Sequence, residues 1–173
     1  RFTSNRAASS FYRRIRNLQQ VPFFTTKNGM LYREDCFDVL PNIPDGSVDM
    51  ILCDLPYGTT NFKWDKKLPF DRLWAEYSRL IQEHGAIALT AQQPFATDLI
   101  ATGRKLFRYE LIWEKTLACG FLNANRMPLR AHENILVFYK KLPIYHPQMT
   151  PGTSYYKKGG GEGHVYGKTY RVQ

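Results

Sequence analysis

An aspartate, a proline and a tyrosine follow a short apolar run in the segment MILCDLPYG, residues 50–58. The Asp54 carboxylate can accept one hydrogen bond from an exocyclic amine of a nucleobase, and a neighbouring backbone carbonyl can accept the second. Pro56 fixes the backbone φ angle and removes a competing donor, and Gly58 permits a close approach. Tyr57 supplies a flat ring on which a base taken out of a duplex can stack. Because two acceptors favour a tetrahedral nitrogen with a free lone pair, the segment predicts chemistry on an amino group.

The same segment also suits a purely structural role. A strand that ends in a turn can use Asp54 as a helix cap and can bury Tyr57 as part of the core. The tetrapeptide alone gives the two interpretations equal weight. The elements that position it are therefore needed to choose between them.

Alternating strand and helix patterns surround this segment. A continuous apolar run predicts a strand over residues 48–54 that is buried on both faces. Helical spacing predicts a helix over residues 70–81 with Gly85 at its exit. The other predicted elements are strands over residues 30–35, 85–90, 109–115 and 134–140, a short helix or turn within 36–47, and a helix over 94–103. This order is typical of an α/β fold with parallel strand pairs and crossover helices, whose ligands lie beyond the carboxyl ends of the strands.

Length and composition restrict the class of protein. The 173 residues fit one domain, and 43% hydrophobic residues are enough for a core. No apolar run reaches the roughly 20 residues that a membrane helix requires. The three cysteines, Cys36, Cys53 and Cys119, form no CxxC pair. Their spacing favours a reducing, cytoplasmic location and argues against a metal site or a disulfide framework.

The net charge of +9 is concentrated at the two ends of the chain. Residues 1–29 contain six Lys and Arg and no acid, residues 140–173 carry a net +5, and residues 30–139 carry a net −2. Basic ends suit phosphate binding, although solvated basic ends are also common. We predict a basic N-terminal extension at 1–29, a catalytic α/β region at 30–141, and a Gly/Pro/Tyr-rich basic tail, or the start of a recognition segment, at 142–173.

Longer blocks around the segment carry a family resemblance that extends over about residues 30–152. These blocks are REDCFDVLPNIPDGSVDMILCDLPYGTTNFKWDK, then LWAEYSRLIQEHGAIALTAQQPF, then YELIWEKTLACGFLNANRMPLRAHENILVFYKK. In this order they resemble the amino-group DNA methyltransferases of phages and prophages, in which the catalytic motif precedes the glycine motif of the cofactor site. The resemblance implies a bacterial or phage-encoded protein with a Rossmann-like, S-adenosylmethionine-dependent methyltransferase sheet. It also implies double-stranded DNA as the partner and a homodimer, with no membrane and no metal.

The resemblance assigns catalytic roles within the segment. It implies that the Asp54 side chain and the Leu55 carbonyl accept the two amine hydrogens. It further implies that Pro56 shapes the turn and that Tyr57 stacks on the flipped base.

The resemblance also extends to cofactor and DNA contacts. Asp35, with Cys36 beside it, is implied to hydrogen-bond the adenine amino group of S-adenosylmethionine. The residues implied to face the nucleic acid are Lys115, Arg126 and Arg130. His132 is instead predicted to pair locally with Glu133.

Two departures from the family pattern affect the expected activity. Leu55 replaces the usual first proline of the Asp-Pro-Pro-Tyr signature, which leaves the backbone carbonyl in place. The Phe-x-Gly-x-Gly motif that wraps the methionine part of the cofactor is absent from the sequence. We therefore expect an incomplete sheet and cofactor site, and weak or no binding of S-adenosylmethionine by this chain alone.

The expected reaction is methyl transfer to N6 of adenine. N4 of cytosine is an alternative, because only the base pocket distinguishes the two reactions. A catalytically inactive module that binds nucleic acid through its basic ends is a second alternative, and cofactor binding separates it from the enzymes.

Overall fold

The computed structural model describes residues 21–152, so the basic stretches at 1–20 and 153–173 lie outside the described residues. The strands are β1 (Phe24–Thr25), β2 (Met30–Leu31), β3 (Val48–Asp54), β4 (Ile81–Ala91), β5 (Phe107–Cys119) and β6 (Arg130–Phe138). The α-helices are α1 (Cys36–Val39), α2 (Phe70–Leu80) and α3 (Phe95–Thr102). Two short 3₁₀ helices cover Leu40–Asn42 and Phe121–Asn123. This α/β order agrees with the predicted fold class.

The main sheet of the described chain has four strands in the order β3-β4-β6-β5. Strands β3 and β4 are parallel and are joined through α2, as the sequence predicts. Strand β6 runs antiparallel to both β4 and β5. The sheet is therefore mixed. Strands β5 and β6 form a long hairpin, whereas the sequence predicted two shorter strands with a loop between them.

Helix α2 forms because its apolar residues recur on one face. Leu73, Trp74, Tyr77 and Leu80 are the buried residues of this helix. It ends at Leu80 because Ile81 is already extended and begins β4. The buried face packs on the sheet, where the Trp74 and Phe138 ring centroids are 4.8 Å apart.

The two faces of the sheet differ sharply in exposure. On the helix-covered face, Ile87 and Leu136 are fully buried. On the opposite face, Met50 is 56% exposed and Leu52 is 68% exposed. The predicted burial of β3 on both faces is therefore wrong for the described chain. The alternation of side chains along the strand directs these two residues away from α2 and α3.

The ends of the described chain bear on the predicted domain limits. Strands β1 and β2 pair antiparallel, with Thr25 opposite Met30. This small hairpin joins residues on both sides of the predicted boundary at residue 30. Residues 142–152 contain no helix or strand. The three-part division of the chain stays a prediction.

A tight contact after α3 leads to a stability prediction. A Cβ atom added at Gly103 would lie 2.4 Å from Cζ2 of Trp74, whose indole N–H donates to Thr102 at 3.0 Å. We expect Gly103→Ala to destabilise the fold by about 1–3 kcal/mol through overpacking. Gly152→Ala is the control, because nothing lies within 4 Å of its added Cβ. Equal midpoints of urea unfolding for the two variants would contradict the prediction.

Candidate active site at the end of strand β3

Asp54 is the last residue of β3 and lies opposite Thr90 of the parallel strand β4. The Thr90 hydroxyl donates a hydrogen bond to Oδ1 of Asp54. The Tyr57 hydroxyl in turn donates to Oγ1 of Thr90 at 3.0 Å. These three side chains form one directed chain of hydrogen bonds, which fixes the carboxylate and leaves its second oxygen for a ligand.

Tyr57 is held by its ring as well as by its hydroxyl. Its ring stacks on Phe95 with centroids 5.0 Å apart and an angle of 29° between planes. Partial burial raises the pKa of the Tyr57 phenol above its usual value. The phenol therefore remains protonated, and it remains a donor to Thr90, across the physiological pH range.

Leu55 anchors the turn through a buried side chain that is 5% exposed. Within residues 21–152, no hydrogen bond reaches the Leu55 carbonyl oxygen outside the strand ladders. This oxygen is therefore available as a second acceptor beside Asp54. An open cavity of about 390 Å³ lies at this point. Its lining residues are Asp54, Leu55, Pro56, Tyr57, Thr59, Thr60, Trp64 and Asp65.

The loop after the turn is organised by Asp65. Its carboxylate accepts hydrogen bonds from the backbone N–H of Gly58 at 2.7 Å and of Thr59 at 2.9 Å. It also accepts from the backbone and the hydroxyl of Thr60, each at 2.7 Å. The Thr60 hydroxyl and these N–H groups hold the pKa of the Asp65 carboxyl below its usual value. Gly58 has a φ of +68°, so glycine is needed here for the turn itself.

Sequence analysis missed Asp65 and Thr90. Thr90 meets Asp54 only through the pairing of β3 with β4, and no local pattern indicates that register. Asp65 lies within the WDKK stretch, and a carboxylate seven residues after Gly58 gives no recognised turn signal. The backbone N–H groups of the loop after Gly58 gave a weaker signal for Asp65, because such groups require acceptors when a loop packs on the protein.

Asp35 and Cys36 lie at the start of α1, outside the cavity lining. Oδ1 of Asp35 accepts the Phe37 N–H at 2.8 Å and caps the helix. Arg72 of α2 holds this short helix by donating to the Phe37 carbonyl at 3.1 Å. Burial raises the pKa of the Cys36 thiol, and Asp35 adds to this effect. The assignment of both residues to a cofactor stays a prediction.

The residues predicted to bind nucleic acid fall into two settings. Lys115 forms an ion pair with Glu133, and Glu133 also accepts from Nε2 of Gln92 at 2.6 Å. Glu133 raises the pKa of Lys115. The predicted local pairing of His132 with Glu133 is therefore wrong, because the glutamate reaches across the hairpin to Lys115.

The two predicted arginines lie elsewhere on the hairpin. Arg130 is opposite Cys119 where β5 and β6 pair, and Arg126 lies in the turn between these strands. Both are exposed, and no ion pair involves either of them within residues 21–152. Their contact with DNA stays a prediction.

Two further features bear on the class of protein. No helix in the described part of the chain is long and apolar enough to cross a membrane. Among residues 21–152, no cluster of three or more His, Cys, Asp or Glu side chains is arranged to hold a metal ion.

Known structures share this fold. No family model matches the chain. The structure of the M1.HpyAVI–SAM complex superposes with a TM-score of 0.52 at 21% identity, covering 72% of this chain and 60% of that one. The PvuII DNA methyltransferase, which is cytosine-N4-specific, superposes with a TM-score of 0.55 at 13% identity, covering 73% of this chain and 55% of that one.

These likenesses define the class of fold. The chain has the Rossmann-like α/β fold of S-adenosylmethionine-dependent methyltransferases, with an incomplete sheet in the described residues. It spans about three-fifths of the length of the structures that it matches.

Proposed function

We propose that the protein is a DNA methyltransferase that transfers a methyl group from S-adenosylmethionine to N6 of adenine. The observation that carries this proposal is the Asp54–Thr90–Tyr57 hydrogen-bond chain, whose two end residues, Asp54 and Tyr57, line one cavity together with Leu55. Two acceptors at the carboxyl end of a parallel strand suit an exocyclic amine, and the neighbouring ring suits the base that carries it.

The two acceptors act on the amine of the flipped base. The free oxygen of Asp54 accepts one N–H, and the Leu55 carbonyl accepts the other. Together they direct the nitrogen lone pair away from the base ring. The Asp54 carboxylate also faces the positive charge that develops on this nitrogen. Because Thr90 already orients the carboxylate, little reorganisation is needed during the reaction.

The cofactor supplies a methyl group that its sulfonium has already activated, so the protein contributes mainly orientation and electrostatics. Asp35 fits a role in holding the cofactor adenine, because its helix cap uses only Oδ1 and leaves the other oxygen to accept an amino hydrogen. Cys36 lies beside it at the start of α1. These two residues hold only part of such a cofactor, which agrees with the missing glycine motif.

The long hairpin of β5 and β6 supports binding of double-stranded DNA. Arg126 and Arg130 are exposed there and are free to contact phosphates. Lys115 has a different role in this proposal, because its ion pair with Glu133 stiffens the hairpin that carries the arginines.

Methylation of cytosine N4 is the second candidate. The cytosine-N4-specific PvuII enzyme shares the fold, and both amines present two hydrogens to the same pair of acceptors. The blocks that resemble phage and prophage enzymes favour adenine.

The test is methyl incorporation into duplex DNA by the full natural polypeptide that carries this sequence. Radiolabelled cofactor and unmethylated DNA are incubated together, and the digested nucleosides are separated by mass spectrometry. We expect N6-methyladenine. N4-methylcytosine would support the second candidate, and no labelled nucleoside would leave a nucleic-acid-binding remnant as the better account.

A prediction about Thr90 follows from the hydrogen-bond chain. We expect Thr90→Val to lower kcat roughly 10- to 150-fold with little change in KM, because a bond that orients a carboxylate is worth roughly 1.5–3 kcal/mol. Thr90→Ser keeps the hydroxyl and should restore most of the rate. A loss of activity in both variants, or one that parallels a lower melting temperature, would assign Thr90 to packing alone.

A further inference from the structure

Two aromatic side chains are exposed on the loop that follows residues 54–58, which we call the catalytic turn. Phe62 is 65% exposed and Trp64 is 70% exposed. Their rings are nearly parallel, with centroids 5.7 Å apart and 11° between planes. We refer to these two residues as the aromatic pair. The two stacked rings offer a flat apolar surface on which another flat ring can pack.

The loop backbone beneath the aromatic pair is ordered. Asp65, only 7% exposed, gathers the N–H groups of residues 58–60. The Asp65 N–H donates to the Phe62 carbonyl at 3.1 Å, and the Lys66 N–H donates to the Trp64 carbonyl at 2.9 Å. The pair is thus held outward by a fixed loop, so binding a flat ligand costs little ordering of the backbone.

The aromatic pair is continuous with the candidate active site. Trp64 lines the same cavity as Asp54 and Tyr57. Tyr57 already packs one side of its ring on Phe95. The cavity wall therefore contains two separate aromatic surfaces, one at the catalytic turn and one on the loop.

Charge on the loop indicates the kind of ligand. Lys63 lies between the two aromatic residues and Lys66 follows them, and both lysines are exposed. Lys67 is instead paired with Asp98 at 2.7 Å. Aromatic rings combined with cations are the usual means of binding unpaired nucleic acid. A protein partner fits less well, because the cores of protein interfaces are depleted in lysine.

We propose that Phe62 and Trp64 form a second base-stacking platform, which binds an unpaired nucleobase of the DNA other than the target base. Lys63 and Lys66 would contact the phosphates on either side of that base. This inference rests on the proposed function in taking DNA as the partner. Its role is to hold the opened duplex while the target amine occupies the site at Asp54.

The test compares binding of two single-stranded oligonucleotides of equal length, one with all its bases and one with abasic sites, by fluorescence anisotropy. Both carry the same phosphates, so their ratio of affinities isolates stacking. Each stacked base is worth about 1–3 kcal/mol, or roughly 5- to 150-fold in affinity. We expect the unmodified chain to prefer the base-containing strand, and Trp64→Ala to lose part of that preference while binding the abasic strand normally.

Control variants separate stacking from other effects. Trp64→Phe keeps a ring and should retain most of the preference. Leu52→Ala removes an exposed apolar side chain of β3, 68% exposed, and should leave the preference unchanged. Thermal melts should be unchanged for Trp64→Ala, because an exposed side chain leaves no cavity.

A double-mutant cycle with Tyr57→Ala tests whether the platform is separate from the catalytic turn. If the two aromatic surfaces hold different bases, the losses for Tyr57→Ala and Trp64→Ala add. Strong non-additivity would mean one shared base and would overturn the proposal. So would equal affinity for the two strands, absence of binding to either, or an unchanged preference in Trp64→Ala.

These measurements do not depend on methyl transfer. If oligonucleotides bind in the expected pattern but are never methylated, the stacking platform is supported and the proposed function is contradicted. Methylation without any preference for base-containing strands does the reverse.

Discussion

Asp54→Ala is expected to lower methyl transfer at least about 10²–10³-fold, the usual cost of losing one preorganised electrostatic partner in the transition state. The carboxylate is exposed at the end of β3, so alanine leaves no core cavity and the fold should persist. The substitution also leaves the Thr90 hydroxyl without its hydrogen-bond acceptor. Single-turnover methyl transfer to duplex DNA, in the full natural polypeptide, measures the effect.

Asp49→Ala is a matched control for this prediction. Asp49 is an exposed carboxylate on the same strand, and its removal changes the net charge equally. We expect near-normal rates in this variant. If Asp54→Ala also retained near-normal activity, or lost it only by unfolding in a thermal melt, the strand end would be a structural turn and the catalytic interpretation would be wrong.

Tyr57→Ala is expected to have the second largest effect, a loss of roughly 5- to 150-fold in kcat/KM, because base stacking is worth about 1–3 kcal/mol. The variant also loses the stacking contact with Phe95 and the hydrogen bond to Thr90. Some loss of stability should therefore accompany the loss of activity. The binding of an oligonucleotide that holds an extrahelical base reports on stacking separately from the chemical step.

Tyr57→Phe distinguishes the ring from the hydroxyl. This variant keeps the stacking surface and the Phe95 contact but removes the donor to Thr90. We expect normal capture of the extrahelical base and a smaller loss of kcat than in Thr90→Val, because the Thr90 hydroxyl still donates to Asp54. If Tyr57→Phe bound the base as poorly as Tyr57→Ala, the ring would not be the stacking surface.

Local patterns predicted the local elements well. Strand β3 (Val48–Asp54) and helix α2 (Phe70–Leu80) lie within a residue of their predicted limits, because each shows a clear period of apolar residues. Gly85 shows where such patterns fail. It was predicted to mark the helix exit and to begin the next strand, but β4 already begins at Ile81, and a Cβ added at Gly85 would be 2.7 Å from the Asp49 carbonyl oxygen.

Features that depend on strand pairing could not be predicted from the sequence. The hydrogen bond from Thr90 to Asp54 arises from the register of β3 and β4. The ion pair of Lys115 with Glu133 arises from the antiparallel pairing of β5 and β6. The exposure of Met50 depends on which face the helices cover, and periodicity within one strand does not reveal that.

The hairpin of β5 and β6 extends past the end of β4. The last residue of β4, Ala91, pairs with Asn134, so Arg130–Glu133 continue about 13 Å beyond it at the usual rise of a strand. Beyond this point lie exposed side chains such as Phe121 and Leu122, at 75% and 81% exposure. Substitutions there cost the core almost nothing, whereas those at Asp54 or Thr90 disturb a fixed contact. Under the proposed function, mutation in the hairpin would change which DNA sequence is contacted while the chemistry at Asp54 stays constant, so specificity and reaction would evolve separately.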